Sequence, residues 1–290
     1  MLTPTSTPTS TLPGHTPPRL PTLFVSHGSP MFALEPGVAG PLLAALARDL
    51  PRPKAIVVVS PHWMTRRPLV GASARPETIH DFGGFPEPLY RLQYPAPGER
   101  AVAARAAACL REAGWPAELD EHRGLDHGVW VPLMHMYPEA DVPVVPVSLP
   151  AGLDGAGAWA FGQALAPLAD EGILVLGSGS LTHNLQDVFG TRSGAGQPGG
   201  AGGYALAFPA WVQQVVESGS LTRLQAIMEE APGAHRAHPT TEHLWPLLVA
   251  AGAAREPQTN SYIEGGIDLD VLSMSSALFG QRWAPPAQLA

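Results

Sequence analysis

The chain has 290 residues, 45% of them hydrophobic, with a net charge of -8 and an isoelectric point near 5.7. Lys54 is the only lysine, which argues against the basic footprint of a nucleic-acid binder and makes a small molecule the expected partner. Cys109 is the only cysteine, so no disulfide can form within the chain, any bound metal must be held by nitrogen and oxygen, and the cytoplasm is the expected compartment.

Residues 1–20 read as a disordered Pro/Thr-rich tail without the apolar core of a signal peptide, and residues 21–290 as one domain. No later run approaches the ~18 apolar residues of a membrane span, so no membrane partner is expected. The first apolar run, LFVS, ends at His27. Leu42, Leu43, Leu46 and Leu50 then predict a helix over residues 37–50, stopped by Pro51 and Pro53 ahead of a strand at 55–60 that ends two residues before His62. Residues 77–98 are rich in aromatic residues and prolines without a clean period, and loops of such length in compact domains are usually functional. Further helices are expected at 99–113, 159–170, 204–218 and 221–230, and further strands at 142–149 and 173–177, with another short one after the 99–113 helix. The segment GLDHGVWVPLMHMYP is assigned no element. The glycine-rich stretch 190–203 matches no phosphate-binding pattern and reads as a mobile surface loop. Thr240 or Thr241 is expected to cap a helix with His243 in its first turn, and a last hairpin or edge strand turns at residues 264–266. Non-alternating apolar strands separated by helices predict a single α/β domain, its mostly parallel central sheet flanked by helices, with a metal site at the strand ends. Monomer is the default oligomeric state.

Eleven histidines accompany that single lysine. His15, His122 and His235 fall in surface-type segments, and His135 reads as packed. His27 and His62 close strands expected to be neighbours and are followed or preceded by turn residues that let backbone approach a ligand, so they are candidate metal ligands. A third ligand must come from elsewhere, and the adjacent Glu242 and His243 offer a carboxylate and an imidazole. Two histidines with a carboxylate suit non-haem Fe(II), whereas three histidines suit iron or zinc. His127 and His183 are candidates for proton transfer, because imidazole titrates near neutral pH. Asp126 and Asn184, their sequence neighbours, are candidates to set a loop or orient a ring.

The motifs SHGSPMFALEPG, SPHW, TIHDFGGFPEPLYRLQYPAPG, GLDHGVWVPLMHMYPEADVPVVPVSL, GSGSLTHNL and PTTEHLWPLLVAAGA, in this order, resemble the class III extradiol ring-cleavage dioxygenases of the 4,5-DOPA extradiol dioxygenase subgroup. The likeness runs from about residue 23 to residue 280 and makes the expected domain a catalytic one. It implies a mononuclear site of His27, His62 and His243, with Glu242 as the rival third ligand. It further implies His183 as an acid/base, His127 near the oxygen-binding position, Fe(II) as the active metal, and a small catechol and O2 as substrates. Zn(II) could occupy the same site in purified protein, since it outranks Fe(II) in general affinity. In the aromatic loop, His80, Asp81 and Phe82, with Phe85 and Tyr90, are expected to line the substrate mouth. Two rival readings are a zinc-dependent hydrolase, which lacks HExxH spacing here, and a non-enzymatic metal-binding protein on the same scaffold, which would have no need of His127 and His183.

Overall fold

The computed structural model describes residues 19–192, 202–255 and 259–289. β1 (Thr22–Ser26) leads through a 3-10 turn to α1 (Ala39–Asp49), β2 (Ala55–Thr65) and β3 (Leu69–Gly71). The long loop after β3 holds one helical turn, α2 (Glu87–Tyr90), before α3 (Arg100–Glu112), β4 (Glu118–Asp120), α4 (His127–Met136) and β5 (Val144–Pro150). Then come α5 (Gly155–Leu165), α6 (Pro167–Asp170), β6 (Ile173–Gly179), α7 (Leu185–Arg192) and α8 (Gly202–Ser218). The short turns α9 (Ile227–Glu230) and α10 (Ala234–Ala237) precede α11 (Trp245–Ala253), β7 (Asn260–Ile263), β8 (Ile267–Asp268), β9 (Leu272–Ser273) and β10 (Ser276–Phe279).

Eight strands form one sheet in the order β4-β3-β5-β2-β6-β1-β10-β7, parallel through its centre from β5 to β1 and antiparallel where β3 meets β5 and β10 meets β1 and β7. Each face carries its own core. Val57 and Val59 of β2 enter the one that packs against α3, α5, α8 and α11, while Ile56 and Val58 enter the one beneath α1 and α4. That is why the strand reads as an unbroken apolar run: both faces are covered, and burying each such side chain stabilises the fold by about 1.5–3 kcal/mol.

The expected single α/β domain is what the chain forms, with four revisions. β2 does not end at Ser60. It continues to Thr65 through a register shift between Ser60 and Met64, so His62 rides on a bulge inside a strand rather than following one. β1 and β2 are not neighbours, because β6 lies between them. The GLDHGVWVPLMHMYP segment is helical from His127 to Met136 despite Pro132. Neither Thr240 nor Thr241 caps the last helix, which begins at Trp245 after Leu244 without a side-chain cap and leaves His243 in the preceding turn.

Smaller differences follow local chemistry. Asp154 accepts a hydrogen bond from the Gly157 amide and starts α5 earlier than Trp159, and Pro167 separates α6 from it. The three-residue β3 was too short to leave a pattern. Residues 1–18 and most of the glycine-rich 190–203 stretch lie outside the described residues, but Leu20 is buried and its amide bonds the Ala169 carbonyl, so the folded unit starts before residue 21. No helix among the described residues is long and apolar enough to cross a membrane.

Candidate active site

Five imidazoles converge over the carboxyl edge of the parallel strands. His27 follows β1, His62 sits on the β2 bulge, His127 opens α4, His183 follows β6, and His243 occupies the turn before α11. His27 Nε2 and His62 Nε2 are 3.1 Å apart, and a donor atom from each of His27, His62 and His243 lies within 4.8 Å of the other two. The His127 ring centroid is 4.0 Å from that of His62, while His183 stacks on His243 at 3.5 Å with its plane tilted by only 8°.

What stands behind the rings decides which nitrogen each presents. Pro132 has no N–H, so the Gly128 carbonyl, its partner one turn earlier, is free. Ser178 of β6 donates its hydroxyl proton to that carbonyl, and its oxygen can therefore only accept from His27 Nδ1–H, 2.9 Å away. The ring is thus fixed with Nε2 unprotonated and facing His62. The bulge under His62 is tied down by Ser60, whose oxygen accepts from the His62 amide at 3.3 Å and whose proton goes to Asp126 Oδ1 at 2.7 Å. Arg123 pairs with the other Asp126 oxygen at 2.8 Å, reaches the His62 carbonyl at 3.4 Å and lies over Trp63. Gly128 is required beside this bulge: a Cβ there would meet Ser60 Oγ at 2.6 Å and the His62 ring at 2.9 Å. Behind His243, Glu242 Oε1 stands 3.2 Å from Nδ1 and also accepts from Thr240. No other described residue hydrogen-bonds the His183 ring.

Burial is the main force on these groups. It pushes His27 and His243 well below the ordinary imidazole pKa and His62 down to about 3, with the neighbouring imidazoles acting in the same direction; His183 is lowered by burial too. His238, also buried, donates from Nε2 to the Leu181 carbonyl and falls to about 4. These rings are neutral in the fold and protonate in the unfolded chain near pH 6.5, so the unfolded state binds more protons as pH falls. Stability is therefore full above about pH 6.5 and is lost below it, by up to about 1.4 kcal/mol per pH unit for each such ring. Metal-free protein is expected to hold a constant Tm from pH 7 to 8 and to show a steep fall between pH 6.5 and 4 in a calorimetric pH series. A flat profile down to pH 4 would contradict the neutral cluster.

The rings open into a cavity of about 370 Å³ walled by Phe82, Phe85, Leu185, Val188, Phe189, Leu269 and Leu272, with Glu35 and Asp268 as its carboxylates. Leu269 and Asp270 form the tip between β8 and β9 with φ of +50° and +60°, a left-handed conformation that costs a non-glycine residue about 1–2 kcal/mol. A larger groove of about 530 Å³, lined by residues such as Trp115 and Gln163, offers no titratable side chain.

Of the aromatic-loop candidates, Phe82 lines the cavity and packs edge-on against His127. His80 does not line it: its Nε2 engages the Leu92 carbonyl at 3.0 Å. Asp81 is likewise absent from the walls and turns to His127 and His62. Asp126 and Asn184 orient no imidazole directly. The first anchors the β2 bulge, and the second takes the Gln186 and Asp187 amides at the start of α7. Ser178 and Arg123 escape a sequence reading, because a serine in a small-residue run and an arginine in a charged turn carry no signal of their own.

The donor set fits a metal ion. The unprotonated Nε2 of His27 faces His62 Nε2 at 3.1 Å, close enough for one cation to bind both, and three neutral imidazoles whose Nδ1 sides face partners are the arrangement that holds one. A family model described as the catalytic LigB subunit of aromatic ring-opening dioxygenase matches residues 22–279. The chain is 40% identical over 262 residues to a protein of Beta vulgaris named 4,5-DOPA dioxygenase extradiol, covering 89% of this chain and 96% of that one. It is 40% identical over 271 residues to a protein of the same name from Escherichia coli K12, covering 90% and 95%. The crystal structure of an uncharacterized Escherichia coli K12 protein superposes with a TM-score of 0.69 at 33% identity, covering 90% of this chain and all of that one.

Proposed function

The chain belongs to the LigB family of aromatic ring-opening dioxygenases, and on that premise we propose that it cleaves a small catechol beside its two hydroxyls, using a bound metal ion and incorporating both atoms of O2. The observation that carries this reading is the convergence of three neutral imidazole donors, flanked by two further imidazoles, at the floor of an apolar cavity.

In this reading His27, His62 and His243 hold the ion. Fe(II) bound there would supply the template on which catechol and O2 meet and the path for the electrons exchanged between them. Zn(II) would fill the same donors in purified protein without supplying that path. The rest of the work belongs to the chain. His183, its ring neutral and unclaimed by any other described residue, takes the proton from a substrate hydroxyl and returns it later. His127, its ring 4.0 Å from that of His62, accepts and relays a proton at its cavity-facing nitrogen. Phe82 and the other apolar walls stack the ring and exclude water from it.

The test is anaerobic reconstitution with Fe(II), followed by air and a panel of catechols with acidic, basic and amino-acid side chains, DOPA among them. Oxygen uptake with a yellow ring-opened product, one O2 consumed per ring, is the expected result. Silence across the panel at verified iron occupancy would overturn the reading in favour of metal-dependent hydrolysis or binding.

A further inference from the structure

We infer that Asp81 is a positioning residue that sets the proton of two site imidazoles at once, so that His127 and His62 both turn Nε2 into the cavity. The inference rests on the reading of His62 as a metal ligand given above. Asp81 Oδ1 accepts the backbone N–H of His127, the first residue of α4, at 2.9 Å. Its Oδ2 stands 3.0 Å from Nδ1 of the same histidine, short of hydrogen-bond alignment but near enough to favour a proton on that nitrogen, and 3.7 Å from His62 Nδ1. One carboxylate thus holds the main chain of His127, stands against its ring and faces the back of His62.

The loop that delivers it is fastened to the same region. Ile79 and Leu125 share a backbone hydrogen bond, Leu125 reaches back to the Glu77 carbonyl, and Trp130 of α4 donates to the Ile79 carbonyl at 3.0 Å. The backbone bond to Oδ1 leaves Oδ2 no other place than beside the two rings. A carboxylate there stabilises N–H on each Nδ1 and keeps each Nε2 lone pair available.

Asp81→Asn separates this role from others. The His127 amide still needs an oxygen, so the asparagine places its NH2 against Nδ1, which must then be the acceptor, and the His127 proton moves to Nε2. Nitrogen-15 NMR of metal-free protein is expected to show His127 as the Nδ1–H tautomer in the wild type and as Nε2–H in the variant. Co(II) affinity, read by its visible absorption, is expected to fall about tenfold through His62, and kcat about 10–100-fold with KM changed less than threefold. Asp81→Glu, which keeps a carboxylate, should recover part of the Co(II) affinity. An unchanged tautomer and Co(II) affinity in folded Asp81→Asn would overturn the inference, as would a raised KM at constant kcat, the signature of direct substrate binding. Because tautomer and Co(II) affinity are read without substrate, they test Asp81 even if no catechol is turned over, an outcome that would count only against the dioxygenase reading.

Discussion

His27→Ala is expected to emerge from Fe(II) reconstitution without its metal and with ring-opening activity lowered at least about a thousandfold. His27 is nearly solvent-free, its Nδ1 is committed to Ser178, and its Nε2 faces His62 Nε2 at 3.1 Å. Removing it leaves two donors and an opening where water enters, and catalysis that depends on the ion loses several kcal/mol of transition-state stabilisation. His243→Ala should behave in the same way. Glu242→Gln is the informative companion, since Glu242 faces His243 Nδ1 rather than joining the group of His27, His62 and His243. That variant should keep one ion per chain with affinity weakened about 10–100-fold. Elemental analysis after gel filtration, paired with oxygen uptake, decides between them. Metal lost from Glu242→Gln but kept by His243→Ala would reverse the assignment of the third ligand.

The second large effect is expected at His183. His183→Ala should bind metal normally yet lose about 10²–10⁴-fold in kcat, the usual worth of a positioned acid/base, with a smaller change in KM. Stacking on His243 at 3.5 Å places it at the edge of the donor group, and no other described residue hydrogen-bonds its ring, which leaves it to exchange protons with substrate. Burial lowers its pKa, so the base form prevails at neutral pH and activity should decline only as pH falls below the ordinary imidazole value near 6.5. That acid limb should vanish from the residual activity of His183→Ala. Loss of metal together with activity would instead make His183 a ligand, and wild-type turnover would remove it from the mechanism.

The centre of the fold was legible in the sequence because covered strands leave apolar runs, and β1, β2 and β6 are such runs. The histidines at their ends stood out for the same reason. Strand order was not legible: that β6 lies between β1 and β2 is decided by pairing over more than a hundred residues of separation. α4 was hidden by Pro132, and the residue that hid the helix is the one that frees the Gly128 carbonyl for Ser178 and so fixes His27. The bulge that lifts His62 follows from Ser60, Asp126 and Arg123 meeting in space, which no local pattern records. The aromatic neighbours of Asp81 point toward the substrate mouth, and only the side-chain direction turns it inward to His127 and His62.

The walls and the floor of the cavity come from different parts of the chain. Leu185 and Phe189 project from α7 and Leu269 from a hairpin tip, while the contacts behind the imidazoles run through β2, β6, α4 and the turn before α11. A change at Leu185, Phe189 or Leu269 breaks none of those contacts, so the shape of the rim can change without disturbing the imidazoles. In the proposed reading, the rim alone would set which ring is admitted, while the floor beneath it keeps its arrangement.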